Sequence, residues 1–356
     1  MEAVLNGLSA TQQRFEIGDP SQVSYARRGI SELAHSTGCS ETVIGRLAII
    51  VTECATNQLK HALRGELLVR PISEVLPSRY GIELLALDSG PGIHDLHACF
   101  VDGYTTAGSP GNGMGAIQRL ADELDIWSAP GQGTVLRIVV WAEPGPAAAE
   151  PCGPIEYGAI NLPLQGETLC GDAWTCGYME GEFTVMVADG LGHGALANTA
   201  AVAATATFAR LGPSSVEEIV AASHEALRPT RGAALGVARI PAQAAANGTP
   251  GVARFCGVGN IAASVWTPYG HRHLVSHAGI VGHQVRKVQE FQVDWPQDGL
   301  LILHSDGLAT RWDLSRYPGL ALRHPTLVAA TLYRDFTRGR DDVTVFVARA
   351  HHAEHL

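Results

Sequence analysis

A run of proline, alanine and glycine interrupts this chain at Glu143–Pro154, EPGPAAAEPCGP, a composition that predicts a linker rather than a helix or strand. Proline fixes φ and removes a backbone donor, while an alanine run offers little to pack. The interruption predicts two domains, residues 1–143 and 155–356, joined by a linker at 144–154. Each half has an ordinary domain length. With 46% hydrophobic and 17% charged residues, each half can bury a core. The net charge of −10 provides no basic face for a nucleic-acid backbone. The first residues lack a basic segment ahead of an apolar run, so no secretory signal is read there. The Ala/Thr-rich stretch around Ala195–Ala209 falls short of a membrane span. Seven scattered cysteines without a Cys-x-x-Cys pair read as reduced, mostly buried thiols of a cytoplasmic protein.

In the first half, Asp19-Pro20-Ser21 signals a helix start, with Val23, Ala26, Ile30 and Leu33 at helical spacing behind it. A second helix is expected over about 40–63, and strands over 67–72 and 80–87. After a glycine-rich region come a short helix at 116–124 and strands at 123–127 and 134–141. The order describes an α/β sandwich, with helices over one face of a mixed sheet. The second half reads as two stacked antiparallel sheets with flanking helices at 195–211 and 215–227.

Three elements of the first half carry chemistry. Glu53 and Asn57 lie four residues apart on one face of the second helix, where a carboxylate and an amide can position a nucleophile and Mg²⁺ together. Asp88-Ser-Gly90-Pro-Gly92 follows an apolar strand, and a strand-end carboxylate can accept from an adenine amino group while glycine lets the backbone approach. Gly108-Ser-Pro-Gly111-Asn-Gly113-Met-Gly115 opens a helix, whose free N–H groups and dipole suit phosphate. Each element alone is common in turns and loops. In this order they resemble the motif boxes of the GHKL ATPases, over about 15–142, and within them the small anti-sigma-factor-type serine kinases of the RsbT type. That resemblance implies an ATP site with Mg²⁺. Glu53 would be the base toward a substrate hydroxyl, Asn57 the Mg²⁺ ligand and Asp88 the adenine contact. Gly90, Gly92, Gly111, Gly113, Gly115 and Thr134 would line the nucleotide.

The second half places aspartates at strand ends: Asp172 in Cys170-Gly171-Asp172, Asp189-Gly190 within DGLGHG, Asp306-Gly307 after a strand, and Asp341-Asp342 before one. A single Asp-Gly reads as a β-turn. Four such carboxylates, all oxygen donors, suit a pair of hard divalent ions. The ordered set resembles the PPM-type phosphatases of the SpoIIE/RsbU branch, with Gly257–Gly282 similar to RsbX, and covers about 155–350. The resemblance implies an α-β-β-α sandwich and two Mn²⁺ or Mg²⁺ ions. Asp189 would bridge them, the Gly190 carbonyl would touch one, Asp306 and Asp341 would hold the second, and Asp172 would serve the first. Asp189 and Asp306 would thereby be catalytic. Larger relatives grip phosphate with an arginine, and no counterpart stands early in this domain. His193 reads as structural.

Together the resemblances imply a stress-signalling switch: ATP-dependent Ser/Thr phosphorylation of a STAS-domain partner, and metal-dependent dephosphorylation of such proteins. The partner would be an anti-sigma-factor antagonist or a stressosome scaffold, with a downstream phosphatase or an anti-sigma factor as further partners. The oligomeric state stays open, a homodimer included. The alternative is a phosphatase whose ATP-binding domain holds a partner or senses nucleotide.

Overall fold

The computed structural model describes residues 4–8, 11–62, 64–75, 78–96, 98–100, 113–142, 153–211, 214–242 and 250–350. The chain divides into two compact units. Residues 12–152 and 316–334 form the first, and residues 1–11, 153–315 and 335–356 form the second. These limits differ from the expected boundaries at 143 and 155, because the opening strand β1 (Val4–Leu8) joins the second unit and 316–334 joins the first.

The first unit runs β2 (Gln13–Ile17), α1 (Pro20–Ser36), α2 (Glu41–His61), β3 (Gly65–Val75), β4 (Ser78–Asp88), α3 (Gly113–Leu120), β5 (Glu123–Ser128) and β6 (Thr134–Trp141). Asp19 caps α1 by accepting from Ser21 N at 2.8 Å, while the Gln22 side chain accepts from Asp19 N at 3.0 Å, closing a capping box. Ser40 caps α2. The sheet order is β2-β3-β4-β6-β5, and every pairing is antiparallel. The expected mixed sheet is therefore corrected. β3–β4 and β5–β6 are hairpins, and tight reversals pair strands only antiparallel. Alternate residues Leu67, Val69, Ile82, Leu84 and Ala86 pack with Ala26, Ile30, Leu47 and Ile50 of the helices. On the opposite face, Glu83 is 2% exposed and takes Arg70 at 2.7 Å and Arg137 at 2.8 Å.

The second unit continues with β7 (Ile155–Leu162), β8 (Asp172–Met179), β9 (Glu182–Gly190), α4 (Ala195–Leu211), α5 (Val216–Leu227), β10 (Ala233–Pro241), β11 (Gly251–Val258), β12 (Ala262–Thr267) and β13 (Gly270–Leu274). Three two-residue strands follow, β14 (Ser276–His277), β15 (Gly279–Ile280) and β16 (Gln284–Val285). Then come β17 (Phe291–Trp295), β18 (Leu300–His304) and β19 (Val343–Ala350), and between the last two lies α6 (Pro325–Phe336), whose residues up to Arg334 belong to the first unit. One sheet has the order β1-β8-β9-β10-β11-β14, with β17 also on β11; the other is β13-β12-β18-β19-β7. All pairings in both are antiparallel except β11–β14. Phe183, Val185 and Val187 of β9 point into the space between the sheets with Trp174, Phe255, Leu301 and Phe346. Their neighbours Met186 and Ala188 face Ala201, Ala204 and Phe208 of α4. Burial on both faces explains the continuous apolar run in that strand. The six described cysteines are buried and form no disulfide with one another, and Cys152 lies outside the described residues.

Residues 316–334 leave the second unit between β18 and β19 and complete the first. Trp127 Nε1 donates to Pro318 O at 3.0 Å, Asp125 Oδ2 accepts from His324 N at 2.9 Å, and Tyr333 OH donates to Glu66 at 3.2 Å. Arg334 Nη1 donates to Asp88 O at 2.9 Å. Among the described residues, no helix is long and apolar enough to cross a membrane.

Candidate active sites

The first site is built on α2. Its buried stripe of Leu47, Ile50, Val51, Cys54 and Ala55 faces the sheet, which turns Glu53 and Asn57 to its half-buried side. α3 begins against that side: a Cβ on Gly113 would lie 2.8 Å from Glu53 Oε2 and 3.6 Å from Asn57 Nδ2. The helix N-terminus, with its unsatisfied N–H groups, thus abuts the carboxylate and the amide. At the end of β4, Asp88 Oδ1 accepts from Gly90 N at 2.8 Å and Thr134 N at 3.3 Å. Burial pushes the Asp88 carboxyl above its ordinary range, opposed by the Gly90 N–H and the Arg334 charge. Ser128 Oγ donates to Gly133 O at 2.8 Å and contacts Thr134 Oγ1 at 3.0 Å, bracing the loop that faces Asp88. Gly92 adopts φ +73°, and a Cβ there would collide with Ala129 O.

The structure therefore gathers Glu53, Asn57 and Gly113 at one place and Asp88, Gly90 and Thr134 at another. Gln58, next to Asn57, ties the two by donating to Leu87 O and Glu66 O at 3.0 Å each. Sequence reasoning missed Gln58 and Ser128, whose roles arise through space. Gly115 is buried within α3, and Gly111 lies outside the described residues.

The second site follows from strand register. Asp172 stands directly opposite Asp189 on the β8–β9 pair. Gly190 ends β9 against the start of α4, so closely that a Cβ would strike Ala197 O. Asp189, Asp306 and Asp341 line one cleft of about 430 Å³, together with Gly192 and Asn260. Asn260 Nδ2 donates to Asp306 Oδ2 at 2.8 Å. Asp342 points elsewhere: its two oxygens accept from Leu164 N at 2.8 Å and Gly171 N at 2.9 Å, which fixes the loop ahead of Asp172. His193 pairs with Glu167 at 2.8 Å and is exposed.

Burial pushes the Asp189 carboxyl up to about 7, with further repulsion from Asp306, Asp341 and Asp342. Burial and then Asp189 itself raise Asp172 well above the carboxylate range. Among the described residues no three His, Cys, Asp or Glu side chains close on one point as a preformed cage. The donor chemistry nevertheless fits hard divalent ions. The set is all oxygen, its charges are uncompensated, and Asp172 Oδ2 is buried without a hydrogen-bond partner. Asn260 was the missed member; its only sequence signal is its place in the GVGN turn at 257–260.

A helix-borne Glu/Asn pair at a glycine turn, and strand-end carboxylates around one cleft of a two-sheet sandwich, define a protein of phosphoryl-transfer chemistry. Comparison with known proteins agrees. Residues 18–140 match the family model of the histidine kinase-like ATPase domain. The serine/threonine-protein kinase RsbT of Bacillus subtilis is 28% identical over 116 residues, which is 33% of this chain and 86% of that protein. The phosphoserine phosphatase RsbX of the same organism is 26% identical over 155 residues, 43% of this chain and 75% of that protein. A crystal structure of RsbX with magnesium aligns with 55% of this chain and 96% of its own, at 23% identity and a TM-score of 0.48. The first half thus carries a histidine kinase-like ATPase domain and is similar to the kinase RsbT, and the second half is similar to the phosphatase RsbX.

Proposed function

We propose that the chain is a bifunctional switch of stress signalling. The first site phosphorylates a serine or threonine on a STAS-domain partner, and the second hydrolyses such phosphoesters. The observation that carries the second half is the convergence of Asp189, Asp306 and Asp341 on one cleft, with Asp172 opposite Asp189. Asp172, Asp189, the Gly190 carbonyl, Asp306 and Asp341 would hold two Mn²⁺ or Mg²⁺ ions. Bound there, the ions supply positive charge for the phosphoryl group and lower the pKa of water. Asn260 holds the Asp306 carboxylate in place, and Asp342 holds the Asp172 loop.

For the first half, the support is the placement of Glu53 against the α3 N-terminus. Glu53 takes the proton from the attacking hydroxyl, Asn57 holds Mg²⁺, and the α3 N–H groups receive phosphate. Asp88 accepts from the adenine amino group, with Gly90, Gly92 and Thr134 shaping its surroundings. Phosphoryl transfer asks mainly for positioning and charge, which this short set supplies. The test is transfer of label from γ-³²P-ATP to a STAS-domain protein, in an Asp189→Asn background that silences hydrolysis. Label that disappears with Glu53→Ala supports the kinase. Intact ATP binding without label leaves a phosphatase whose ATP-binding domain holds a partner or senses nucleotide.

A further inference from the structure

We infer that Arg231 is the phosphate-gripping residue of the second site, an inference that rests on the phosphatase reading above. A phosphomonoester dianion approaching this cleft meets Asp189, Asp306 and Asp341, and none of the residues lining it carries a positive charge. Sequence alone supplies no arginine early in the domain. The fold brings one from the turn between α5 and β10.

Arg231 reaches over the DGLGHG loop: its Nη1 lies 3.3 Å from where a Cβ of Gly192 would stand, and Gly192 lines the cleft. Ala233 and Ala234, next along the chain, line the same cleft. The turn is pinned on both sides of the arginine. Thr230 Oγ1 donates to Leu227 O at 2.7 Å and accepts from Gly232 N at 3.0 Å, and Leu191 N donates to Gly232 O at 3.0 Å. Gly232 holds φ +78°, where a Cβ would press on Val281 O at 2.6 Å.

The backbone is thus fixed to the cleft while the side chain stays exposed. Among the described residues, Arg231 has no hydrogen-bond or ion-pair partner. The residues that line the cleft are themselves neutral or acidic. An unpaired guanidinium there matches a phosphate dianion, which it can grip with two parallel N–H···O bonds. Substrate class follows: the group recognised is a phosphomonoester on an exposed side chain, and glycine at position 192 leaves the arginine room to swing over it.

The test uses the full chain with Mn²⁺ and three readouts: calorimetric binding of inorganic phosphate, kcat and KM on a phosphoserine peptide, and Mn²⁺ affinity. Arg231→Ala is expected to weaken phosphate binding and raise KM by about ten- to a hundred-fold, the range of a hydrogen bond to a charged group. Mn²⁺ affinity should stay unchanged, and Arg231→Lys should recover part of the loss by keeping charge without the fork. Phosphate binding and KM equal to the unmutated protein's in Arg231→Ala would overturn the inference. If the unmutated protein binds phosphate through Arg231 yet turns over no phosphopeptide, the phosphatase reading falls and the role of Arg231 stands.

Discussion

Glu66→Gln should make the protein more stable above neutral pH and leave it unchanged in acid. Glu66 lies on β3 beneath Tyr333, whose hydroxyl donates to it at 3.2 Å, with Arg14 Nη1 donating to that hydroxyl at 3.4 Å. Burial pushes its carboxyl from 4.5 up to about 7, against the opposing pull of Arg14 and the Tyr333 hydrogen bond. A carboxyl with a raised folded pKa holds its proton longer in the native state. Between those two values the folded chain binds more protons than the unfolded one, so stability falls as pH rises. Its contribution is complete below the unfolded pKa and is lost as pH climbs through the folded one. A shift of that size corresponds to about 3 kcal/mol, and the residue's partial contact with solvent reduces this to about 2 kcal/mol. Gln keeps an acceptor for Tyr333 and never ionises. The assay is urea unfolding followed by tryptophan fluorescence at pH 5 and pH 8, for both proteins. Asp172 and Asp189 titrate in both and cancel in the difference. Identical pH profiles, or an advantage of Glu66→Gln that shrinks toward pH 8, would refute the reasoning.

Glu83→Gln strips the charge that pairs Arg70 and Arg137 and should cost about 3–5 kcal/mol, whereas Arg70→Met, Glu83→Leu and Arg137→Met together should fall within about 1–2 kcal/mol of the original; denaturant midpoints decide this. Gly92→Ala forces a side chain onto Ala129 O at φ +73° and should cost about 1–3 kcal/mol and abolish nucleotide binding, read by ATP titration. Asp189→Asn should lower phosphopeptide hydrolysis about a thousand-fold, and EDTA should abolish hydrolysis reversibly, with ATP titrations run in parallel to follow the first site.

Much of the architecture was legible because local signals agreed with it. Asp19, Ser40 and Ser215 mark helix starts through side-chain caps, and the strand 134–141 stands where the apolar pattern puts it. The misses have physical causes. β8, DAWTCGYM, mixes an aspartate, a glycine and polar residues because it carries Asp172 into the interior. α6 buries nine of its twelve residues, so it has no polar face to reveal a helical period. β2 has five residues and no turn signal ahead of it. Asp189, Asp306 and Asp341 were readable because each sits beside a locally legible strand. Arg231, Asn260 and Gln58 were not, since each acts on residues at least 8 positions away in sequence.

Because β1 pairs with β8 and residues 316–334 complete the first unit, neither unit is finished in the order in which it is made. On the ribosome, the strand at 4–8 waits for 172–179, and the sheet bearing Asp88 and Asp125 waits for the last turns of α6. At ordinary elongation rates that delay is on the order of tens of seconds. The nucleotide-binding half, translated ahead of the other, is thus completed only after most of that other half has been made.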